Sequence, residues 1–504
     1  MPAEAASAQP PRLSTEAKWL IAGAVIIAAA FLLHLPQLTR PTLLFDDFQI
    51  LAKSYTWEAT LANLGQTHNE HIMPLGRLST WLLVQTAGRA SLLPLVVSLQ
   101  GPLVVLVGML LLFLFVRREL GHPLYGLIAM ALFGVTTQYR EAVAWFSASF
   151  SILALDTMLL ALLAAQQWRQ TSRKRYIAGA ALAAGLAPCW FASGILAGPI
   201  CALYLALPDN AVPSDACRSS VFQPGFGRRF FAGFVPILGT LAFVAVGLLR
   251  KFDDIMHLEH YQGKTASEAI HPLRGLEYTF RSLIDNLVLG SVGIPTVNCP
   301  IPWVIFGVGL LGVLGIVWWF LAPNRRLVVL GAVLIFMSYW MIYSARAEWS
   351  YEGDYGVSRW GRYQLLPHLG LTLCIAGGVP RWQGWGLISD SADPPEKGTA
   401  LTGLLLASLL GFLFGCQLPR SFAYFEIPGQ NADLRRVDAV DALCRQHHIA
   451  AAVARDVLPL FDIAGCGGRV NGWDFLRGSP DPQTVTPDGA RRWLAEFIPP
   501  PPVP

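Results

Sequence analysis

Charged side chains are scarce in this 504-residue chain: Asp, Glu, Lys and Arg together make up 14% of it, against about 25% in ordinary soluble domains. That shortage excludes a water-soluble enzyme of this length, because too little polar surface is left to face solvent. Neither sign of charge dominates. Thirty-seven Lys and Arg stand against 33 Asp and Glu, a net +4, which is too weak a field to hold a nucleic acid. The eight Cys show no CxxC or Cys/His finger spacing, so no structural zinc site is indicated. No internal repeat is visible. What the chain has in excess is apolar: 54% hydrophobic residues, 16 Trp and 27 Phe, with a mean hydropathy of +0.46. The sequence reads as an all-α polytopic membrane protein.

A span must cross about 30 Å of hydrocarbon with its backbone bonded internally. Eleven apolar runs qualify, give or take one: 19–37, 92–116, 123–138, 145–165, 176–189, 191–207, 231–249, 301–322, 327–344, 365–380 and 400–417. The stretch 176–207 is too long for one span, and Pro188-Cys189-Trp190 predicts two short helices joined by a turn. A further run near 282–296 carries Asp285 and two Gly and reads as a surface or re-entrant helix. The first run exceeds the core of a cleavable signal and reads as a retained anchor. With its N-terminus cytoplasmic, alternation puts Arg117-Arg118, the cluster Arg169, Arg173, Lys174 and Arg175, then Arg228-Arg229 and Arg325-Arg326 on the cytoplasmic side, as the positive-inside bias requires.

Three regions follow: a cytoplasmic segment 1–18, a bundle 19–417 whose external connections are, in order, the loop 38–91, a short turn around Tyr139-Arg140-Glu141 and the loops 250–300 and 345–364, and an extracytoplasmic region 418–504. The last mixes a helical pattern (Asn431 to His447) with a strand-like run (Ile449 to Ala454) and ends in Pro499 to Pro502, which predicts a small α/β appendage with a disordered end. Within it Cys444 and Cys466 are either a disulfide closing a loop of about 23 residues, worth roughly 3 kcal/mol, or two unpaired thiols.

The candidate chemistry lies in the external loops, which are longer than a compact bundle needs. Asp46 and Asp47, between Phe45 and Phe48, are adjacent acids at an apolar boundary. Repulsion there favours a raised pKa in one, which suits a general base, while the other could hold a cation or a hydroxyl; a helix N-cap with a solvated neighbour is the plainer reading. Further on, His68-Asn69-Glu70-His71 places two imidazoles on one face if the segment is helical, a partial site for a divalent metal that needs an Asp from elsewhere. Polar substrate contacts or a surface turn explain the same residues. Arg77 either meets a phosphate or pairs with the acids. In the third external loop Asp253, Asp254, His257, Glu259, His260, Tyr261, Arg274, Glu277 and Arg281 line an acceptor channel or form a solvated amphipathic helix. In the fourth, Arg359 and Arg362 lie on one side of a short helix among aromatics, with Tyr363 next to them. Two guanidinium forks at a membrane surface suit a lipid phosphate or pyrophosphate. Anchoring to head groups is the competing explanation, although basic anchors belong mainly on the cytoplasmic side.

An acidic pair just after the first span, a long first external loop closing in an Arg-Leu helix, and Arg362-Tyr363-Gln364-Leu365-Leu366-Pro367 at the start of a late span together resemble the GT-C superfamily of integral membrane glycosyltransferases. The turn Tyr139-Arg140-Glu141, with Trp145 and Ser147 following, is similar to bacterial members that use polyprenyl-phosphate sugars. The resemblance covers roughly residues 19 to 380. It implies transfer of a sugar from polyprenyl phosphate to a glycan, lipid or protein acceptor, with inversion, at the extracytoplasmic face of the cytoplasmic (inner) membrane. In that scheme Asp46 or Asp47 is the base, with Asp46 preferred; Arg359, Arg362 and Tyr363 bind the donor phosphate; and Arg140, Glu141, His68, His71 and Arg77 shape the pocket. No cofactor is required by the pattern. A divalent ion, Mg or Mn, on Asp46, Asp47 and His71 stays open, with Glu141 or Asp253 as a supporting acid. A transporter or flippase of a lipid-linked saccharide would carry ionisable residues near the bilayer midplane and internal repeats, whereas Asp156 is the clearest such residue here. A ligase or polymerase moving a whole oligosaccharide would use the same external arginines.

Overall fold

The computed structural model describes residues 14–38, 57–68, 71–87, 92–208, 226–256, 271–291, 324–350, 361–379 and 396–421, together with scattered positions in 47–54 and 304–322. The expected tail, with Cys444 and Cys466, lies outside the described residues. Apart from one two-residue hairpin, the elements are helical. In chain order they are α1 (Thr15–Leu38), α2 (Trp57–Asn63), the strands β1 (Thr67–His68) and β2 (His71–Ile72), α3 (Pro74–Ala87), α4 (Leu93–Leu120), α5 (Pro123–Gly134), α6 (Arg140–Ala144), α7 (Phe146–Thr171) and α8 (Lys174–Trp190). There follow a 3-10 turn (Ala192–Leu196), α9 (Ala197–Ala206), α10 (Phe226–Met256), α11 (Pro272–Arg281), a π-helical turn (Ser282–Val288), α12 (Arg325–Ser350), a second 3-10 turn (Gly361–Gln364), α13 (Leu365–Gly378) and α14 (Glu396–Ser421).

Five of these helices are long and apolar enough to cross a membrane, in α1, α4, α7, α10 and α12. The chain is a multi-pass membrane protein. Shorter apolar helices cover 123–134, 192–206 and 404–419, and of the expected spans only 301–322 is described in fragments. The long stretch 176–207 divides as expected, but at Phe191 rather than at Pro188, which the last turn of α8 accommodates. Of the run 282–296, the described part, 282–291, departs from the surface half of the surface-or-re-entrant expectation: Ser282, Ile284, Asp285, Asn286 and Leu287 are all buried, in a winding that is rare and usually short.

Leu, Phe and Ala on α4, α5, α7, α8, α9, α12 and α13 form one continuous core. Lipid-filled surroundings give no hydrophobic drive between spans, so close backbone approach does the packing. Where α12 crosses α13, a Cβ on Gly331 would come within 2.3 Å of the Gly370 carbonyl.

Two polar layers sit at opposite ends of α7. At its C-terminal end Glu119 accepts from the Tyr204 hydroxyl at 2.7 Å and from Gln166 at 3.0 Å, and pairs with Arg326. Arg326 also donates to the Pro208 carbonyl at 2.9 Å, and Arg169 donates to the carbonyls of Tyr204 (2.7 Å) and Leu207 (2.8 Å). Three of the basic clusters expected on one side thus meet at one end, Arg228 joining them over the Trp168 ring at 5.5 Å. At the other end Gln417 of α14 accepts from the Thr137 amide (3.1 Å) and hydroxyl (2.8 Å) and donates to Ser291 O at 2.9 Å. The Ser291 hydroxyl donates to Gln138 at 2.8 Å, and Gln138 donates to Asn286 O. This fixes the loop that leads into α6, and with it the wall of the site below.

Candidate functional site

A cavity of about 60 Å³ opens at the N-terminal end of α7. Four separate stretches of chain build it. The first loop supplies Ile50, His68, His71 and Met73; the α6–α7 junction supplies Trp145, Ser147, Ala148 and Ser151; the α8–α9 break supplies Phe191; and the second 3-10 turn supplies Arg362 and Tyr363.

Asp47 is fully buried beside this wall, and its Oδ1 accepts the Ser147 backbone N–H at 2.8 Å. Trp145 caps α7 with an extended backbone, so Ser147 carries one of the amides that the helix itself cannot satisfy, at the positive end of its dipole. A carboxylate is the best partner for it. Asp46, the neighbouring acid, lies outside the described residues, as does Arg359.

Arg362 comes from the other side of the sequence to the same wall. Its guanidinium lies 4.6 Å from the Trp145 ring centre and 5.0 Å from that of Tyr363. Its backbone N–H points to Glu141 at 3.5 Å, and Nη1 stands 4.0 Å from Glu141 Oε2, beyond hydrogen-bond length. Rings over a guanidinium hold it by cation–π attraction, and it is the in-plane N–H edge of a guanidinium that matches phosphate. Arg140 shares α6 with Glu141. Burial pulls its guanidinium below the ordinary value, and the Glu141 charge pulls it back up.

The helical reading of His68 and His71 is corrected: they are cross-strand partners in an antiparallel hairpin, where directly paired residues come close on one face. Both line the cavity. Among the described residues no three His, Cys, Asp or Glu groups converge as metal ligands, and of the expected set Asp46 is not described. Arg77 is buried in α3, its Nη1 3.4 Å from the Ile50 carbonyl, behind the wall rather than on it. In the third external loop, α11 is amphipathic, with Tyr278 and Thr279 buried and Arg281 paired to Glu277 at 3.0 Å. The side chains of Asp253, Asp254, His257, Glu259, His260 and Tyr261 lie outside the described residues.

Sequence reasoning missed Phe191, Ser151, Ile50 and Met73. The break near Pro188 was the available signal for Phe191, since a chain that leaves a helix turns its side chains to whatever opens there. The other three carry no signal of their own.

No family model matches the chain, and no curated protein matches it. Among solved structures it is similar to the oligosaccharyltransferase of Archaeoglobus fulgidus tethered with an acceptor peptide containing the NVT sequon (TM-score 0.45, 13% identity, 88% of this chain and 58% of that one). It is also similar to the archaeal oligosaccharyltransferase AglB from Archaeoglobus fulgidus in complex with an inhibitory peptide and a dolichol-phosphate (TM-score 0.40, 13% identity, 87% of this chain and 59% of that one). The chain spans less than two thirds of the length of those structures.

Proposed function

We propose that the chain is a membrane glycosyltransferase of the GT-C type, with about eleven spans, moving a sugar from a polyprenyl-phosphate donor to an acceptor at the extracytoplasmic face of the cytoplasmic membrane. The observation that carries this reading is the convergence of two distant segments on one cavity wall. The first-loop acid is tied to Ser147, and the guanidinium of Arg362 lies over Trp145, two residues earlier.

Asp47, buried and committed to the α7 amide, positions its neighbour. Asp46 is the base: it takes the proton of the acceptor hydroxyl as that oxygen attacks the anomeric carbon from the face opposite the phosphate. The C–O bond to phosphate breaks with inversion, and the electron pair leaves on polyprenyl phosphate. Arg362, with Arg359 and Tyr363, receives the charge growing there, where a preorganised cation is worth most. His68, His71, Arg140 and Glu141 shape the pocket, and Arg77 supports it from behind. A divalent ion, if held by Asp46, Asp47 and His71, would polarise the acceptor oxygen.

One observation favours a transporter instead. Asp156, midway along α7, is 95% buried (5% exposed), and neither carboxylate oxygen has a hydrogen-bond partner; isolated ionisable groups of this kind mark transport paths. The ligase or polymerase alternative shares the arginines and differs only in the donor. A purified sample given labelled polyprenyl-phosphate sugar separates these readings. Released polyprenyl phosphate supports transfer, and intact donor moved between leaflets supports transport. Asp46→Asn is expected to lower turnover by at least about a thousandfold while the protein stays folded and inserted; turnover within a few-fold of wild type would remove Asp46 from the base role.

A further inference from the structure

One wall of the cavity carries a pair of rings, His71 and Phe191, of which Phe191 has no part in that chemistry. Phe191 stands at the break between α8 and the 3-10 turn, with extended backbone at φ −161° and ψ 150°. The break is held tightly shut behind it: a Cβ on Gly194 would come within 2.2 Å of the Ala187 carbonyl carbon. The result aims Phe191 at the hairpin of the first loop, where its ring centre lies 4.2 Å from that of His71, at 39° between planes. Both rings line the cavity and stay partly exposed. The facing sides of the two rings meet each other, and the apolar surface that each leaves exposed at the cavity wall is area that a docked ligand would bury.

The rest of the lining narrows that shape. Ser147, Ser151 and His68 offer polar edges, and Arg362 contributes the full positive charge. A pyranose attached to phosphate has the same division: a flat face of C–H bonds, a rim of hydroxyls and an anion at one end. We infer that Phe191 and His71 form the stacking subsite for the saccharide ring, so that the sugar is recognised here while Arg362 holds the phosphate. The phosphate half rests on the transferase reading, and the ring half does not.

The test uses the full chain in nanodiscs with three probes: undecaprenyl phosphate, undecaprenyl-phosphate glucose, and methyl glucoside alone. Phe191→Ala is expected to weaken undecaprenyl-phosphate glucose about tenfold and leave undecaprenyl phosphate within twofold. Phe191→Tyr, which keeps the ring, should bind both as wild type does and reports that the fold tolerates change at this position. In saturation-transfer NMR, the ring protons of methyl glucoside should receive saturation in wild type and Phe191→Tyr, and lose it in Phe191→Ala. If the glucoside signal depends on Phe191 while neither lipid phosphate binds, the subsite stands and the transferase reading falls. If undecaprenyl phosphate binds but the sugar's contribution is the same with and without the ring, the subsite is overturned and the transferase reading survives.

Discussion

The two ends of the bundle use the same pair of residue types to opposite effect. At the C-terminal end of α7, Glu119 and Arg326 are in contact, and the remaining capacity of each is taken up by Tyr204, Gln166 and the Pro208 carbonyl. At the N-terminal end, Glu141 and Arg362 stand 4.0 Å apart, with rings over the guanidinium and a cavity in front of it. Burying an ion pair repays its desolvation only with further hydrogen bonds around it, and in the first pair both carboxylate oxygens and all three guanidinium nitrogens have a partner. The second is a loose pair on a half-open wall, the arrangement expected where an anion is to arrive. Position along one helix, more than residue type, therefore separates a fastening from a site.

Removing Glu119 should break the comparison most sharply. Glu119→Ala strands the buried Arg326 charge and the Tyr204 hydroxyl, and is expected to cost about 3–5 kcal/mol, seen as a lower thermal unfolding midpoint in detergent. The fraction that remains folded should keep its donor KM. An unmoved midpoint would mean that the cluster fastens nothing. Arg362→Ala is the complementary change. Its side chain is partly exposed, so the midpoint should hold, whereas kcat/KM for the lipid donor should fall about a hundredfold, roughly 2.7 kcal/mol of lost charge stabilisation. Arg362→Lys should recover little of it, because an ammonium cannot present a flat fork. A fall in midpoint with donor use intact would exchange the roles of the two ends.

How far the sequence could be read follows the same division. Long apolar helices were legible because twenty apolar residues in a row have few alternatives, and five of them are long enough to cross a membrane. That the first loop and the segment of Arg362 meet at one cavity could be expected from the motifs they carry; that Asp47 is tied to the Ser147 amide could not, since backbone donors leave no mark in sequence. Three-residue spacing fits a helix turn, so a shared helical face was one reading of His68 and His71; the antiparallel pairing of the two short strands that carry them sets the two in register instead. Phe191 was hidden for a different reason. Phe is common in every span, so the break expected at Pro188-Cys189-Trp190 gave its neighbourhood without singling out this ring.

The smallest change tests whether the ends are independent. Gly121 closes α4 with φ +77°, its N–H donating to Arg117 O at 2.8 Å, in the left-handed conformation that ends many helices. No heavy atom lies within 4 Å of where a Cβ would sit, so Gly121→Ala meets no clash and costs only the backbone preference, about 1 kcal/mol. Because Glu119 is two residues away, that strain falls on the fastened end alone. The unfolding midpoint should drop slightly while donor KM and turnover stay within twofold. A change in donor KM from so local a perturbation would mean that the Glu119 cluster and the Arg362 wall move together, and the division between a fastened end and a binding end would have to be given up.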